Sequence, residues 1–247
     1  MDFLNELNDA QKKAAMHVSG PLLIVAGAGT GKTKVITSRM ANLILSGTAK
    51  SSEILALTFT EKAMEEMTER VDVLMPLGYE EIWIKTFHGF CDRVLRERGH
   101  EIGIDPGYKL FSKVDQWLLL KKNLFALELD YFRPMGNPSR FLFTLLEYFS
   151  RLKDEYITPE QFAVYCETLP EADEIQKEER KKFLELAHVY AAYQKMLIAE
   201  NALDFGDLVY FTLQLLEKRP SVLNEYQERF KYIMVDEFQD TNYSQTR

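Results

Sequence analysis

The sequence predicts an α/β fold: a parallel sheet with helices on both faces, interrupted by a mostly α-helical inserted subdomain. Three observations predict it. Short apolar runs alternate with helical patterns in the first part of the chain, up to Arg98. From Lys113 to Asn201 the patterning is almost wholly helical, and strand character returns at Tyr232-Ile233-Met234-Val235. Strand–helix alternation of this kind gives parallel strands joined by right-handed crossovers.

Taken in order, residues 22–25 form a short apolar run ending in glycines and read as a buried strand. Residues 33–45 place Val35, Ile36, Met40, Leu43 and Ile44 at helical spacing, with Gly47 set to stop the helix. A second buried strand is expected at 54–58, then a helix at 61–74 with Ala63, Met67, Val71 and Leu74 along one side. A third strand at 82–85 leads into a helix near 87–98. Helical patterns follow at 114–129, 139–153, 159–168 and 174–200. Thr158-Pro159-Glu160-Gln161 is a strong helix start, with a threonine cap, proline in the first turn and glutamine three residues on. The mixed charges of 171–185 read as a solvated helix face. The expected organisation is a nucleotide-binding domain over 1–110, a helical subdomain over 111–198, and the first domain resumed over 199–247. The last strand lies so near Arg247, with no closing helix, that a truncated chain is expected.

Composition narrows the function class only a little. The apolar share of 46% supports a real core, while a net charge of −8 argues mildly against passive binding of nucleic acid by a basic surface. Two cysteines, Cys91 and Cys166, make neither a disulfide framework nor a metal set and suit a reducing cytoplasm. The start of the chain lacks a basic-then-apolar leader, and the densest early apolar stretch, 21–26, is far too short to span a membrane. A soluble protein with no membrane partner is expected.

Chemistry enters at Ala26-Gly27-Ala28-Gly29-Thr30-Gly31-Lys32-Thr33, a Walker A sequence with alanine at the usual first glycine. Its glycines let the backbone curl around phosphate oxygens, and the following helix adds the positive end of its dipole. Lys32 should reach the β/γ-phosphates of ATP, and the Thr33 hydroxyl should ligate Mg²⁺. Asp236 and Glu237, directly after an apolar strand, are the complement. In P-loop NTPases such an aspartate holds Mg²⁺, and the neighbouring glutamate can accept the proton of the attacking water.

Six blocks in order then resemble a UvrD/Rep-type superfamily 1 helicase over its N-terminal half. They are Leu7-Asn8-Asp9-Ala10-Gln11, the Walker A, Thr58-Phe59-Thr60-Glu61-Lys62-Ala63, Thr86-Phe87-His88-Gly89-Phe90-Cys91, Asp204-Phe205-Gly206-Asp207-Leu208 and Asp236-Glu237-Phe238-Gln239-Asp240-Thr241-Asn242. The resemblance implies a RecA-like P-loop domain carrying a helical insertion. It implies that Gln11 reads the adenine edge, that Lys34 supports the nucleotide, and that Gln239 senses the γ-phosphate. It further implies that Phe59, Thr60, Thr86 and His88 contact single-stranded DNA. Phe59 is either a base platform or plain core, Thr60 and Thr86 offer hydroxyls to phosphate, and His88 serves as a neutral donor.

Two departures from the family stand out. Glu61 occupies a position that is usually asparagine, so either its carboxylate points away from DNA or this contact differs. Gly206 interrupts the usual acidic pair, and Asp204 reads best as a helix N-cap with Asp207 in the first turn. The activity implied is Mg-ATP-driven 3′→5′ translocation on single-stranded DNA with unwinding of duplex, in DNA repair or recombination. The partners are DNA and a second motor domain that would carry the arginine finger. Little ATPase and no unwinding are expected from residues 1–247 by themselves. A nucleotide-gated switch or small-molecule kinase would share the P-loop but not the Gln11 block, the two Thr-Phe segments or the helical insertion. A degenerate scaffold is disfavoured by intact Lys32, Thr33, Asp236 and Glu237.

Overall fold

The computed structural model describes residues 2–76 and 78–247; Met1 and Leu77 lie outside the described residues. In chain order the regular elements are α1 (Asp9–Ala15), α2 (Lys32–Leu45), β1 (Ile54–Thr58), α3 (Glu61–Leu74), β2 (Trp83–Thr86), α4 (Phe87–Arg98), β3 (Lys109–Leu110) and α5 (Lys113–Lys122). They continue as α6 (Leu142–Asp154), α7 (Pro159–Glu167), α8 (Glu174–Ala199), β4 (Ala202–Leu203), α9 (Phe205–Lys218), α10 (Pro220–Arg229), β5 (Tyr232–Val235) and α11 (Tyr243–Thr246). The chain divides into two compact units. One comprises Met1–Phe90 and Arg219–Thr241, the other Cys91–Lys218 and Asn242–Arg247.

The first unit is built on a parallel sheet of order β2-β1-β5. The central strand is buried along its whole length, as a strand covered on both faces must be. The register explains the two faces. Ala56 stands level with Ile84 and Met234, and all three pack with Met40, Leu43, Met67 and Val71 of α2 and α3. Leu55 stands level with Trp83 on the opposite face, where Trp83 meets Phe230 edge-on at 5.2 Å between ring centres. Phe90 and Tyr226 extend that aromatic layer. Gly47, at φ 71°, follows α2 in the left-handed conformation that only glycine adopts without strain.

The run at 22–25 corrects the sequence expectation. It is not a strand but irregular chain, with Leu23 78% and Val25 87% exposed. The edge of β5 that faces away from β1 carries no partner strand among the described residues, and its Ile233 is 62% exposed. An apolar run records a preference for burial without specifying which edge accepts it. Here both edges of β1 are taken and the ladder beyond β5 is not made. A cleft of about 660 Å³ lies at this place, lined by Leu23, Val25, Lys32, Arg39, Ile233 and Glu237 among others.

The second unit is helical. Leu120, Leu142, Leu145, Cys166, Tyr190 and Leu197 are among its core residues, and Phe149 stacks on Tyr190 and Tyr193 with centroids 5.1 and 5.6 Å away. Thr158 caps α7 with the expected box, its hydroxyl accepting from Gln161 N at 3.1 Å and the Gln161 side chain accepting from Thr158 N at 2.9 Å. Two expected helices are shorter at one end. The first stops at Lys122 because Asn123 turns its amide back onto the Leu119 carbonyl. The second begins at Leu142 because residues 137–141 form a turn, with Ser139 N donating to Asn137 Oδ1 at 3.3 Å and Arg140 N to the Asn137 carbonyl at 3.1 Å. Residues 130–132 before it donate their backbone N–H groups to the Glu185 carboxylate of α8 at 2.9, 3.1 and 3.2 Å. The units divide at Phe90 and Lys218, outside the boundaries expected from patterning, since α9 packs with α6 and with the turn after α4.

Candidate functional site

The phosphate loop occupies residues 26–33 between the irregular run and α2. Gly29 and Gly31 hold φ values of 73° and 87°, and Gly31 is the N-cap of α2. A side chain at either position would be strained, which accounts for glycine there. The loop is braced from within. The Thr30 hydroxyl donates to the Gly27 carbonyl at 2.7 Å, and Lys32 Nζ donates to the Ala26 carbonyl at 3.3 Å. Ala28 lies at the exposed tip of the same turn.

Gln11 braces the loop from outside. Its Nε2 donates to the Thr30 carbonyl at 3.0 Å, while its Oε1 accepts from Asn8 N and completes the capping box of α1. A β-carbon at Gly31 would lie 3.1 Å from Gln11 Nε2, so the glycine also admits this contact. Both ends of the amide are thus engaged with protein. Lys34 pairs with Glu6 at 3.0 Å on the surface rather than turning to the loop.

The far side of the site is the end of β5. Asp236 is buried, its backbone N–H donating to the Leu57 carbonyl and its Oδ1 accepting from Glu237 N at 3.0 Å. Its Oδ2 lies 3.4 Å from the Thr33 hydroxyl, which donates to it. Adjacent oxygens on one Mg²⁺ stand ~3 Å apart, given ligand distances of ~2.1 Å, so these two atoms fit a shared magnesium. Among the described residues no group of three or more His, Cys, Asp or Glu could hold a metal, so the remaining ligands would be phosphate oxygens and water. Thr33 and Asp236 are the residues that would hold the ion, whose chemistry is to neutralise charge on the phosphates.

Glu237 adopts a left-handed backbone at φ 49°, a conformation that costs a non-glycine residue roughly 1 kcal/mol. The turn brings its carboxylate 3.6 Å from Lys32 Nζ and within hydrogen-bond reach of the Gln239 amide. The hydrogen bond from Gln239, aided by the Lys32 charge, holds Glu237 below the usual carboxylate range. It is therefore an ionised acceptor, and a stronger one once Gln239 lets go. Lys32, Thr33, Asp236, Glu237 and Gln239 are brought together at the end of β5.

The second expected site lies where β1 and β2 end. Phe59 is half-buried against Phe87, with centroids 5.3 Å apart. Thr60 is exposed and caps α3, its hydroxyl accepting from Ala63 N at 3.1 Å while its proton stays available. Thr86 is buried at 4% exposure, its hydroxyl accepting from Gly89 N at 3.0 Å and donating to Glu61 Oε1 at 3.2 Å. Burial lowers the His88 pKa, which keeps that imidazole neutral.

Sequence reasoning missed two features. Arg39 of α2 lines the cleft, and its buried Nε has no hydrogen-bond partner. Nothing in an isolated arginine on a helix signals this. Lys153 was also missed, because its pairing with Asp204 and Asp207 depends on residues far away in the chain.

The sequence pattern of the UvrD/REP helicase N-terminal domain matches residues 7–247. The chain belongs to the UvrD/REP helicase family. It is 39% identical over 246 residues to a protein named DNA helicase II from Rickettsia typhi, covering 99% of this chain and 35% of that protein. It is 39% identical over 242 residues to the ATP-dependent DNA helicase PcrA of Bacillus subtilis, covering 98% of this chain and 30% of that one. The PcrA of Staphylococcus aureus gives 39% over 242 residues, with 98% and 31% covered. The chain thus spans about a third of the length of the curated relatives it matches. The chain's α/β architecture with a parallel sheet is consistent with a RecA-like helicase motor domain, and no helix among the described residues is long and apolar enough to cross a membrane.

Proposed function

We propose that this chain is the ATP-binding, DNA-gripping portion of an ATP-dependent DNA helicase. The observation that carries the reading is the convergence of Thr33 and Asp236 at 3.4 Å with Lys32 and Glu237 at 3.6 Å, at the mouth of a glycine loop. Family membership and the names of the relatives support it. The loop and Lys32 bind the phosphates, and Thr33 and Asp236 would hold magnesium. Gln11 reads the adenine edge on releasing the Thr30 carbonyl, while Lys34 supports the nucleotide on leaving Glu6. Glu237 accepts the proton of the attacking water, and Gln239, which now restrains Glu237, reports the state of the γ-phosphate. Phe59, Thr60, Thr86 and His88 form the single-strand grip.

Translocation runs 3′→5′ and serves repair or recombination. ATP opens and closes a cleft against a second motor domain, whose existence the greater length of the relatives supports. An arginine finger supplied from outside residues 1–247 is worth about 10³–10⁵ in rate, so this chain binds ATP but hydrolyses it slowly. Calorimetric titration with ATP tests the reading: binding should require magnesium and should weaken at least tenfold in Asp236→Asn. Magnesium-independent binding, or brisk DNA-stimulated hydrolysis by residues 1–247, would contradict it.

A further inference from the structure

The hydroxyl of Thr86 has one proton to give, and it gives it to a carboxylate. Thr86 Oγ1 donates to Glu61 Oε1 at 3.2 Å and accepts from Gly89 N at 3.0 Å. Gly89 permits this closeness, since a β-carbon there would lie 3.0 Å from Thr86 Oγ1. A hydroxyl carries one donor and two acceptor positions. A phosphate offers only acceptors, so Thr86 cannot serve a phosphate and Glu61 at the same time. Glu61 is exposed in the first turn of α3, whereas Thr86 is buried. The exposed carboxylate therefore stands at the entrance to the buried hydroxyl, with like charge to any phosphate that approaches.

We infer that Glu61 is a latch that competes with the DNA backbone for Thr86 and sets the affinity of the single-strand grip. This rests on the reading of Phe59, Thr60, Thr86 and His88 as a DNA-binding corner. Binding would require the Glu61 side chain to swing out into solvent, which its exposed position allows, and to surrender the Thr86 proton to a phosphate oxygen. The energetic opposition has two parts: loss of one charge-assisted hydrogen bond, and repulsion between two anions a few ångströms apart. Only the second is screened by salt. The two parts can therefore be separated by substitution. Glu61→Gln keeps an acceptor for Thr86 and removes the charge, while Glu61→Ala removes both. Lys62, beside it, is exposed and pairs instead with Glu66 at 4.0 Å, so its charge is directed away from the latch.

The test is fluorescence anisotropy of a labelled oligothymidylate titrated with the 247-residue chain at low and high ionic strength. Glu61→Gln should bind about 3- to 10-fold tighter than the unsubstituted chain at low salt, with the advantage shrinking as salt rises. Glu61→Ala should bind at least as tightly as Glu61→Gln and keep part of its gain at high salt. Adding Thr86→Val to Glu61→Ala should remove that salt-resistant part. Circular dichroism confirms folding of each variant. If the chain binds DNA and both Glu61 variants match it within twofold, the latch is refuted while the DNA reading stands. If no variant binds, the DNA-binding corner itself is refuted.

Discussion

Each unit of this protein contains a lysine paired with acid, two aspartates in one and a single glutamate in the other, and the two clusters are built oppositely. Lys153 is buried at 1% side-chain exposure and lies 2.7 Å from both Asp204 and Asp207. Tyr193 donates to Asp204 at 2.8 Å and Gln194 to Asp207 at 3.0 Å. The two aspartates also cap each other's backbone N–H at the start of α9. Lys32, by contrast, is 23% exposed, stands 3.6 Å from a Glu237 that is 43% exposed, and spends a hydrogen bond on its own loop. A buried charge must be fully satisfied by protein, and the first cluster is. The second leaves its groups loosely paired around an open cleft, which is what a site for an outside anion needs. Lys153, Asp204 and Asp207 hold helices together; Lys32 and Glu237 line an open cleft.

The largest expected effect tests the closed cluster. Lys153→Met should cost about 3–5 kcal/mol, since it strands two buried carboxylates. Lys32→Met should change stability by less than about 1 kcal/mol, as for an exposed pair. Urea denaturation of both variants checks this, and equal costs would erase the distinction.

Protonation sharpens it further. Burial opposes ionisation of Asp204, but the charge and hydrogen bond of Lys153 prevail and hold it below the ordinary 3.8. Burial and the Asp204 charge push Asp207 up to about 6. Folding thus makes Asp207 a stronger proton binder than in the unfolded chain. Its contribution to stability is fully present below pH 4 and is lost as the pH rises through 6. That contribution is worth roughly 2–3 kcal/mol at 1.36 kcal/mol per pH unit. Asp204 acts in the opposite sense and its contribution fades only as the pH falls below 4. Denaturation midpoints of the unsubstituted chain should therefore fall between pH 4 and 6 relative to those of Asp207→Asn. Parallel profiles would contradict the assignment.

Packing gives a smaller effect. A β-carbon at Gly206 would lie 2.8 Å from Lys153 Cδ. Gly206→Ala should cost about 1–3 kcal/mol by overpacking, whereas Gly27→Ala, whose β-carbon meets only Thr30 at 3.8 Å, should cost under about 1 kcal/mol. Thermal melts of the two variants distinguish tight from open ground. The cap of α3 gives a small effect: Thr60→Ala should cost about 1 kcal/mol.

How far the sequence was legible follows the same divide. Local signals were read well. The Thr158 box, the Gly47 stop, strand 54–58 and helix 61–74 all depend on residues within a few positions of each other, and the structure agrees with them. The Walker A and the Asp-Glu pair are each local signals, and the structure brings Thr33 within 3.4 Å of Asp236 and Lys32 within 3.6 Å of Glu237. What escaped were pairings that composition does not encode. The run at 22–25 is as apolar as strand 54–58, yet it makes no ladder with β5. Thr86 reads as an available hydroxyl until Glu61 is seen to take its proton. Asp204 reads as a cap, correctly, but its burial with Lys153 requires knowing that α6 and α9 meet.

The open cluster is the central claim, and ligand-linked stability tests it most directly. Urea unfolding of the chain is measured with and without Mg-ATP, for the unsubstituted protein, Lys32→Met and Lys153→Arg. At a nucleotide concentration of about 100 times Kd the unsubstituted protein should gain about 2.7 kcal/mol. Lys153→Arg, less stable at the outset, should gain as much, and Lys32→Met should gain almost nothing. Equal stabilisation of Lys32→Met and the unsubstituted protein would contradict the account.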